Sequence, residues 1–325
     1  MSILKISVVI PCFNNGHILP VTLTHLIDQS LSSDCFEVLI VDDGSTDDTP
    51  QIIGQLKLPP SFRYFRRQNE GAAAARNFGA FQAQGRFILF LDSDVVSDSS
   101  LLETHLDVHR RYPNTLVVGR TRSIPLDHQG IFYRTMGDSV FAFDLGETEH
   151  PLPFQDVVSR NFSMPRAVFL ELNGFDERYP GSGFEDTEFA LRATKAGYGL
   201  LYSPAASGEH QHPGSLERVG QHMYNYQISA AMLFSQYPEA RGQIPHLRDK
   251  EPIIWGEDNP TLIMRKVWRW VLALPPIYWL LRHIVTLIEK VYPSPKLLEV
   301  LYWQVLGVYL YRGYKEGRRR YGLDA

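Results

Sequence analysis

Short β-prone apolar runs alternate with helical segments, and carboxylates stand directly after those runs. With 44% hydrophobic residues in 325, this predicts an α/β protein: a single mostly parallel mixed sheet flanked by helices, with a C-terminal helical extension. The length suffices for one large domain with an appendage and a well-buried core.

The first strand is read at 6–11, where Ile6-Ser-Val-Val-Ile-Pro11 is apolar and largely β-branched. A helix at 19–29 leads to a strand at 37–41, and a helix at 48–56 to a strand at 62–66. A third helix, alanine-rich at 72–83, leads to a strand at 87–91. That strand, Phe87-Ile-Leu-Phe-Leu91, has the composition of one buried on both faces of a parallel sheet. A helix at 100–111 follows. Strands at 116–122 and 157–164 extend the sheet. Helices at 165–172 and 186–196 stop at Asn173-Gly174 and at Gly197, as helix ends do. A strand at 198–202 precedes a His-rich loop at 208–214, and 216–236 is a long helix. Pro11, Asp42–Ser45 and Asp92–Asp94 all follow strands, so they crowd one edge of the sheet, where open α/β sheets bind ligands.

A net charge of -4 gives no reason to expect a nucleic-acid partner. The charge is uneven: from Arg265 onward there are 11 Lys and Arg against 4 Asp and Glu, so +7, which leaves -11 for the rest. The 2 cysteines, Cys12 and Cys35, lack metal-ligand spacing and suit a reducing compartment. Lys5 interrupts the apolar start, and no small-residue cleavage site follows, so a signal peptide is not expected. A cytoplasmic protein is the resulting expectation, peripheral on the inner face of the cell membrane if its basic tail binds there.

The candidate chemistry is carried by carboxylates. Asp92-Ser93-Asp94 offers paired hard oxygen ligands suited to Mg²⁺ or Mn²⁺ with a phosphorylated substrate; its bland reading is a solvated turn. Asp42 can accept from a base or ribose group, while Ser45-Thr-Asp-Asp48 also suits a helix N-cap. Arg76 and Asn77 are costly on a packed helix face without partners, so Arg76 is expected to pair with Asp42 or Asp92, or to face a diphosphate. Glu185-Asp186 opens a helix, either complementing its dipole or supplying one general base. His210 and His212 add imidazole ligands, which would favour Mn²⁺.

Taken together, these residues resemble a family 2 inverting glycosyltransferase with the GT-A fold. The matching motifs are Val8-Val-Ile-Pro-Cys-Phe-Asn14, Val41-Asp-Asp-Gly-Ser-Thr-Asp47, Asn69-x-Gly71 through Ala75-Arg-Asn77, Phe90-Leu-Asp-Ser-Asp94, Asn173-Gly-Phe-Asp-Glu177 and Gly183-Phe-Glu-Asp186, in the family's order. The resemblance implies a nucleotide-sugar donor, UDP by preference, bound by Pro11, Phe13, Asp42, Asp43, Arg76, Asp92 and Ser93, with Asn161 and Gly174 bordering the sugar. It implies Asp94 and His210 as metal ligands with Asp92 beside them, and His212 as competitor to His210. Asp186 would be the general base and Glu185 would orient hydroxyls, giving transfer with inversion to a glycan, lipid-linked or other hydroxyl acceptor in polysaccharide, glycolipid or cell-envelope synthesis. The organisation that follows is a catalytic domain at 1–240, with a nucleotide-binding half at about 1–115 and an acceptor half at about 116–240. A linker at 241–261 and a basic, aromatic helical extension at 262–325 complete it.

Two other readings compete. A sugar nucleotidyltransferase carries a glycine-rich basic loop after its first strand, but here Pro11-Cys-Phe-Asn-Asn-Gly16 has no Lys or Arg. A non-catalytic nucleotide-sugar-binding module has no physical need to keep Asp92, Asp94, Asp186 and His210 together. The tail, with Trp, Tyr and Arg interleaved, suits interfacial helices on an anionic membrane, or helices packed on protein in a homodimer.

Overall fold

The computed structural model describes residues 4–123, 130–179, 183–211, 214–291 and 293–323. In chain order the strands and helices begin β1 (Ile6–Cys12), α1 (Leu19–Ile27), β2 (Phe36–Asp42), α2 (Thr49–Gln55), β3 (Phe62–Arg66), α3 (Ala72–Gln82) and β4 (Phe87–Leu91). Then come β5 (Val95–Ser97), α4 (Leu101–Arg111), β6 (Thr115–Ser123), α5 (Ile131–Phe141), β7 (His150–Pro151), β8 (Asn161–Pro165), α6 (Arg166–Glu171), α7 (Glu185–Lys195) and β9 (Gly199–His210). The chain ends in α8 (Leu216–Gln236), α9 (Pro260–Leu272), α10 (Pro275–Val291) and α11 (Pro295–Arg320).

The described residues fall into two compact units, one made of 4–123, 138–178 and 185–211, the other of the remainder. The first unit holds a sheet in the order β3-β2-β1-β4-β8-β6-β9-β5, with β7 added to β9. The strands β1 to β4 are mutually parallel, whereas β8 runs antiparallel to both β4 and β6. Every residue of β2 is buried, as a run of Val, Leu and Ile between two helical layers requires. The alanines of α3 let that helix lie close to the strands. At Gly79 a Cβ would come within 2.5 Å of Val9 Cγ1, so no larger residue fits without displacing β1. Parallel pairing of Cys12 with Asp42 sets the ends of β1 and β2 side by side, and Asp92 follows β4 on the same edge.

Two expectations are corrected. The His-rich loop begins inside β9, which runs on to His210 because Val95–Ser97 forms an extra strand against it, pairing Val95 with His210. Three residues are too few for a periodic signal, so β5 is silent in sequence. A helix, α5, also occupies Ile131–Phe141, in the acceptor half between the strands read at 116–122 and 157–164, where the sequence reading places no element.

In the second unit α8 packs along α11, where Gly313 and Gly317 admit close approach: a Cβ on Gly317 would lie 2.7 Å from Ala231 Cβ. The stretch at 241–261 carries turns of 3-10 helix at Pro238–Gln243 and Pro245–Lys250, with Ile244 and Leu247 buried.

Candidate active site

The site is assembled on the edge where β1, β2 and β4 end. After β1 the chain turns through Asn14, at φ 55, a left-handed conformation that asparagine tolerates. Asn14 Oδ1 accepts from Thr46 N–H at 2.8 Å, and Ser45 Oγ accepts from Asn14 N–H at 2.9 Å, so the first two motifs clamp each other. Asn15 Nδ2 donates to Ser93 Oγ at 2.6 Å and fastens the Phe90–Asp94 motif to them. Pro11 is half-buried on this rim, and the ring of Phe13, 45% exposed, stands open to a planar ligand.

Asp42 is fully buried, its carboxylate accepting from Ser45 N–H at 2.8 Å and the Tyr64 hydroxyl at 2.6 Å. Asp43 accepts from Glu70 and Gly71 N–H, at 3.0 and 2.8 Å. Burial raises its pKa, although those two N–H groups oppose the shift. Both carboxylates lie at the predicted edge, yet the structure gives them loop-organising partners in place of an open face. Ser93, buried under Asn15, is likewise a positioning residue. The Cys12 thiol is pushed up by burial and by Asp42, which leaves it protonated and unreactive.

Arg76, 5% exposed, explains why a guanidinium sits on an alanine-rich helix. Its Nη2 donates to Asp92 Oδ1 at 2.8 Å, and its Nη1 to Glu185 Oε1 at 3.1 Å. Residues 16 and 109 positions away in sequence are thereby joined through one planar group. Of the partners weighed for Arg76, Asp92 is found, Asp42 is not, and Glu185 is new. Burial works against its charge, but Asp92, Glu185 and Asp186 together hold its pKa above that of a free arginine.

Asp186 is half-buried beside this bridge and accepts from Thr187 N–H at 2.8 Å and Ser159 N–H at 3.1 Å. Removal from water raises its pKa, against the pull of Arg76 and those N–H groups, so its carboxylate is a stronger base than a solvated one. The residue just before the pair, Phe184, sits at φ 69, a strained value for a bulky side chain.

Two residues after Asp92, Asp94 Oδ1 lies 3.3 Å from His210 Nε2, and His210 Nδ1 lies 3.3 Å from Arg160 Nη1. His212 lies outside the described residues. Among the described residues no group of three His, Cys, Asp or Glu is gathered around a metal position. The pair nonetheless fits two adjacent ligands of one ion, because ligand distances of about 2.0–2.1 Å in an octahedron imply a separation near 3 Å. Such ions commonly take only one or two protein ligands and complete their shell with phosphate and water. For His210 Nε2 to ligate, its proton must sit on Nδ1, so Arg160 would have to turn away from that nitrogen.

Two expected donor contacts are corrected. Asn161 is 0% exposed, its amide donating to Ala206 O at 2.9 Å and its oxygen bonded to His105 Nε2 at 2.9 Å, so it has no surface to offer a sugar. Gly174, at φ 69, is buried over Asn77, whose amide grips Phe175 N–H and O at 2.8 and 2.9 Å; a Cβ there would meet Asn77 Oδ1 at 2.6 Å. That motif is a buttress for the helix before the site. Sequence reasoning passed over Ser159 and Arg160, though an Arg-Asn pair opening a buried strand opposite Asp92 is itself a signal.

The mixed sheet with these groups gathered at its C-terminal edge has the GT-A fold. Comparison with known proteins gives the narrower family. The chain belongs to glycosyl transferase family 2, whose model matches residues 7–172, while a second model, the N-terminal domain of galactosyltransferase, matches 141–214. Validoxylamine A glucosyltransferase of Streptomyces hygroscopicus subsp. jinggangensis is 27% identical over 232 residues, covering 62% of this chain and 54% of that enzyme. Poly(ribitol-phosphate) beta-N-acetylglucosaminyltransferase TarP of Staphylococcus aureus is 30% identical over 118 residues, 36% of each chain. The chain spans 22% of the length of an uncharacterized glycosyltransferase of Rickettsia felis that it matches at 33% identity over 138 residues, 42% of this chain. Among solved structures, S. aureus TarS 1-349 in complex with UDP has a TM-score of 0.53 at 19% identity, covering 98% of this chain and 92% of that one. The mannosyltransferase PcManGT from Pyrobaculum calidifontis, in complex with GDP-Man and Mn²⁺, reaches 0.59 at 17% identity, covering 96% and 88%. These two likenesses share the fold.

Proposed function

We propose that the protein transfers a sugar, with inversion and with the help of a divalent ion, from a nucleoside diphosphate sugar, UDP-linked by preference, to a hydroxyl of a cell-envelope glycan or lipid-linked acceptor. The observation that carries this reading is the Arg76 bridge between Asp92 and Glu185, at 2.8 and 3.1 Å, since Asp92 stands two residues before Asp94, which lies 3.3 Å from His210, and Glu185 directly precedes Asp186. The base of the donor would stack on Phe13 at the rim formed with Pro11, above the buried Asp42. Asp94 and His210 would hold Mn²⁺ or Mg²⁺ with Asp92 adjacent, and a bound ion supplies Lewis-acid neutralisation of the departing diphosphate. Arg160, freed from His210, would turn its guanidinium to the phosphates. Asp186 would take the acceptor hydroxyl's proton, a step worth typically ~10²–10⁴-fold, and its raised pKa suits that task. Attack from the side opposite the leaving group inverts the anomeric centre. Glu185, neutralised by Arg76, holds the site's geometry. Peripheral placement at the inner membrane face belongs to the same reading, supported by the basic, aromatic composition beyond residue 262.

Transfer assays and donor-binding calorimetry on Asp186→Asn test the chemistry. The expected outcome is loss of turnover by at least about 10²-fold with donor affinity kept. Near-normal turnover would remove Asp186 from the role of base.

A further inference from the structure

The structure assigns to the second unit a docking surface for an anionic phospholipid bilayer, built from the exposed apolar faces of α9 and α10 and a basic cavity that takes a lipid phosphate. This deepens the membrane placement above and does not depend on the transfer chemistry. On α9, Met264, Val267 and Trp268 recur at the i, i+3, i+4 spacing of one helix face, and all are exposed, Trp268 by 54%. On α10, Leu280, Ile284, Leu287 and Val291 recur at i, i+4, i+7 and i+11, again exposed, Leu287 by 60%. Soluble proteins scatter such residues; two continuous stripes of them mark a contact surface.

The charge beside the stripes selects the occupant. A cavity of ≈ 740 Å³ is lined by Arg248, Lys250, Asn259, Thr261, Arg265 and Arg269, together with Asp249 and Leu262. Asp249 engages Lys250 and Arg269, at 2.7 and 2.8 Å. Arg248 reaches an acidic oxygen, that of Asp258, only at 3.9 Å, and Arg265 has no partner among the described residues. The cavity thus keeps an excess of positive charge. On the helical wheel Arg265 and Arg269 lie on the flank next to Met264 and Trp268, so one helix offers apolar surface for acyl chains and guanidinium for headgroups. Indole rings at such a border favour the headgroup layer. Among the described residues no single helix is long and apolar enough to cross a membrane, and α9 and α10 meet at a bend of 84°. An L-shaped pair of short amphipathic helices lies in an interface.

The full chain, sedimented with phosphatidylcholine vesicles with and without phosphatidylglycerol, tests this. Binding is expected only with the anionic lipid, falling with salt. Arg248→Glu with Arg265→Glu should weaken it on the order of tenfold or more, since each basic residue near such a surface contributes roughly fivefold. Leu280→Ser with Leu287→Ser should do the same while circular dichroism stays unchanged. Donor turnover without vesicles should be equal in all variants, which separates failure of docking from failure of the transferase reading. No vesicle binding overturns the proposal. So does equal binding to neutral vesicles, capture of inorganic phosphate by the cavity in the absence of lipid binding, or a solution dimer that Leu280→Ser and Leu287→Ser dissolve.

Discussion

Arg76 is enclosed with its two terminal nitrogens divided between Asp92 and Glu185, while its Nε has no hydrogen-bond partner among the described residues. A buried pair of this kind adds little net stability when intact but is expensive to break, because the carboxylate left behind cannot be solvated. Glu185, only 2% exposed, is that carboxylate. Arg76→Ala should therefore cost about 3–5 kcal/mol, read as a fall in the urea midpoint, together with loss of donor binding. Arg76→Lys keeps the charge but replaces a planar fork with a point donor, so it should restore stability more than activity. An Arg76→Ala protein as stable as the parent would show that the bridge is incidental. The Asp94–His210 pair makes a second residue-scale prediction. Donor binding measured by calorimetry should be stronger with Mn²⁺ than without, and in Asp94→Ala that difference should vanish. Full retention of the Mn²⁺ effect would put the ion elsewhere.

Between α4 and β8 runs a buried polar chain that ends at His109, whose Nδ1 has no hydrogen-bond partner among the described residues. His105 bonds Asn161 at 2.9 Å and Ser163 Oγ at 2.8 Å, and His109 Nε2 bonds the same Ser163 Oγ at 2.8 Å. Both rings are buried, and burial lowers their pKa values to about 4 and about 3. Above the unfolded value of about 6.5 both states carry neutral imidazole and nothing changes with pH. As pH falls below that, the unfolded chain takes up protons that the folded one refuses, so stability is lost from about pH 6.5 down towards the folded values, by about 1.4 kcal/mol per pH unit for each histidine. Urea denaturation across this window should show that decline, and His109→Gln, which keeps a donor for Ser163 Oγ, should make it shallower. An unchanged slope would remove His109 from the account. None of this network is legible in sequence: two histidines at i and i+4 on an amphipathic helix read as a solvated face. β5 and the far half of β9 were hidden for a related reason, since each is held by its partner rather than by its own periodicity. β1, β2 and β4 were readable because apolar runs buried on two faces leave a local mark, whereas β3, a half-buried edge strand, carries that mark only in Phe62, Tyr64 and Phe65.

Across the whole molecule, the first unit contains every residue placed in the site: parallel crossovers set the ends of β1, β2 and β4 on one edge, and the antiparallel β8, the end of β9 and the start of α7 bring Arg160, His210 and the Glu185–Asp186 pair. The charge is divided along the chain, -11 before Arg265 and +7 from there on, and the exposed apolar residues of α9 and α10 lie largely in the basic part. Such a division has no bearing on folding; it bears on what the chain meets. The sequence by itself determined the alternation of strands and helices, the family motifs and their order, and which carboxylates reach the sheet edge, because periodicity and strand ends are local properties. Only the tertiary structure decided which of those groups face each other. It joined Arg76 to Glu185, enclosed Asp42, Asp43 and Asn161, and brought Arg160 to His210, because partners many residues apart are selected by packing and by the cost of leaving a buried charge or amide unmatched.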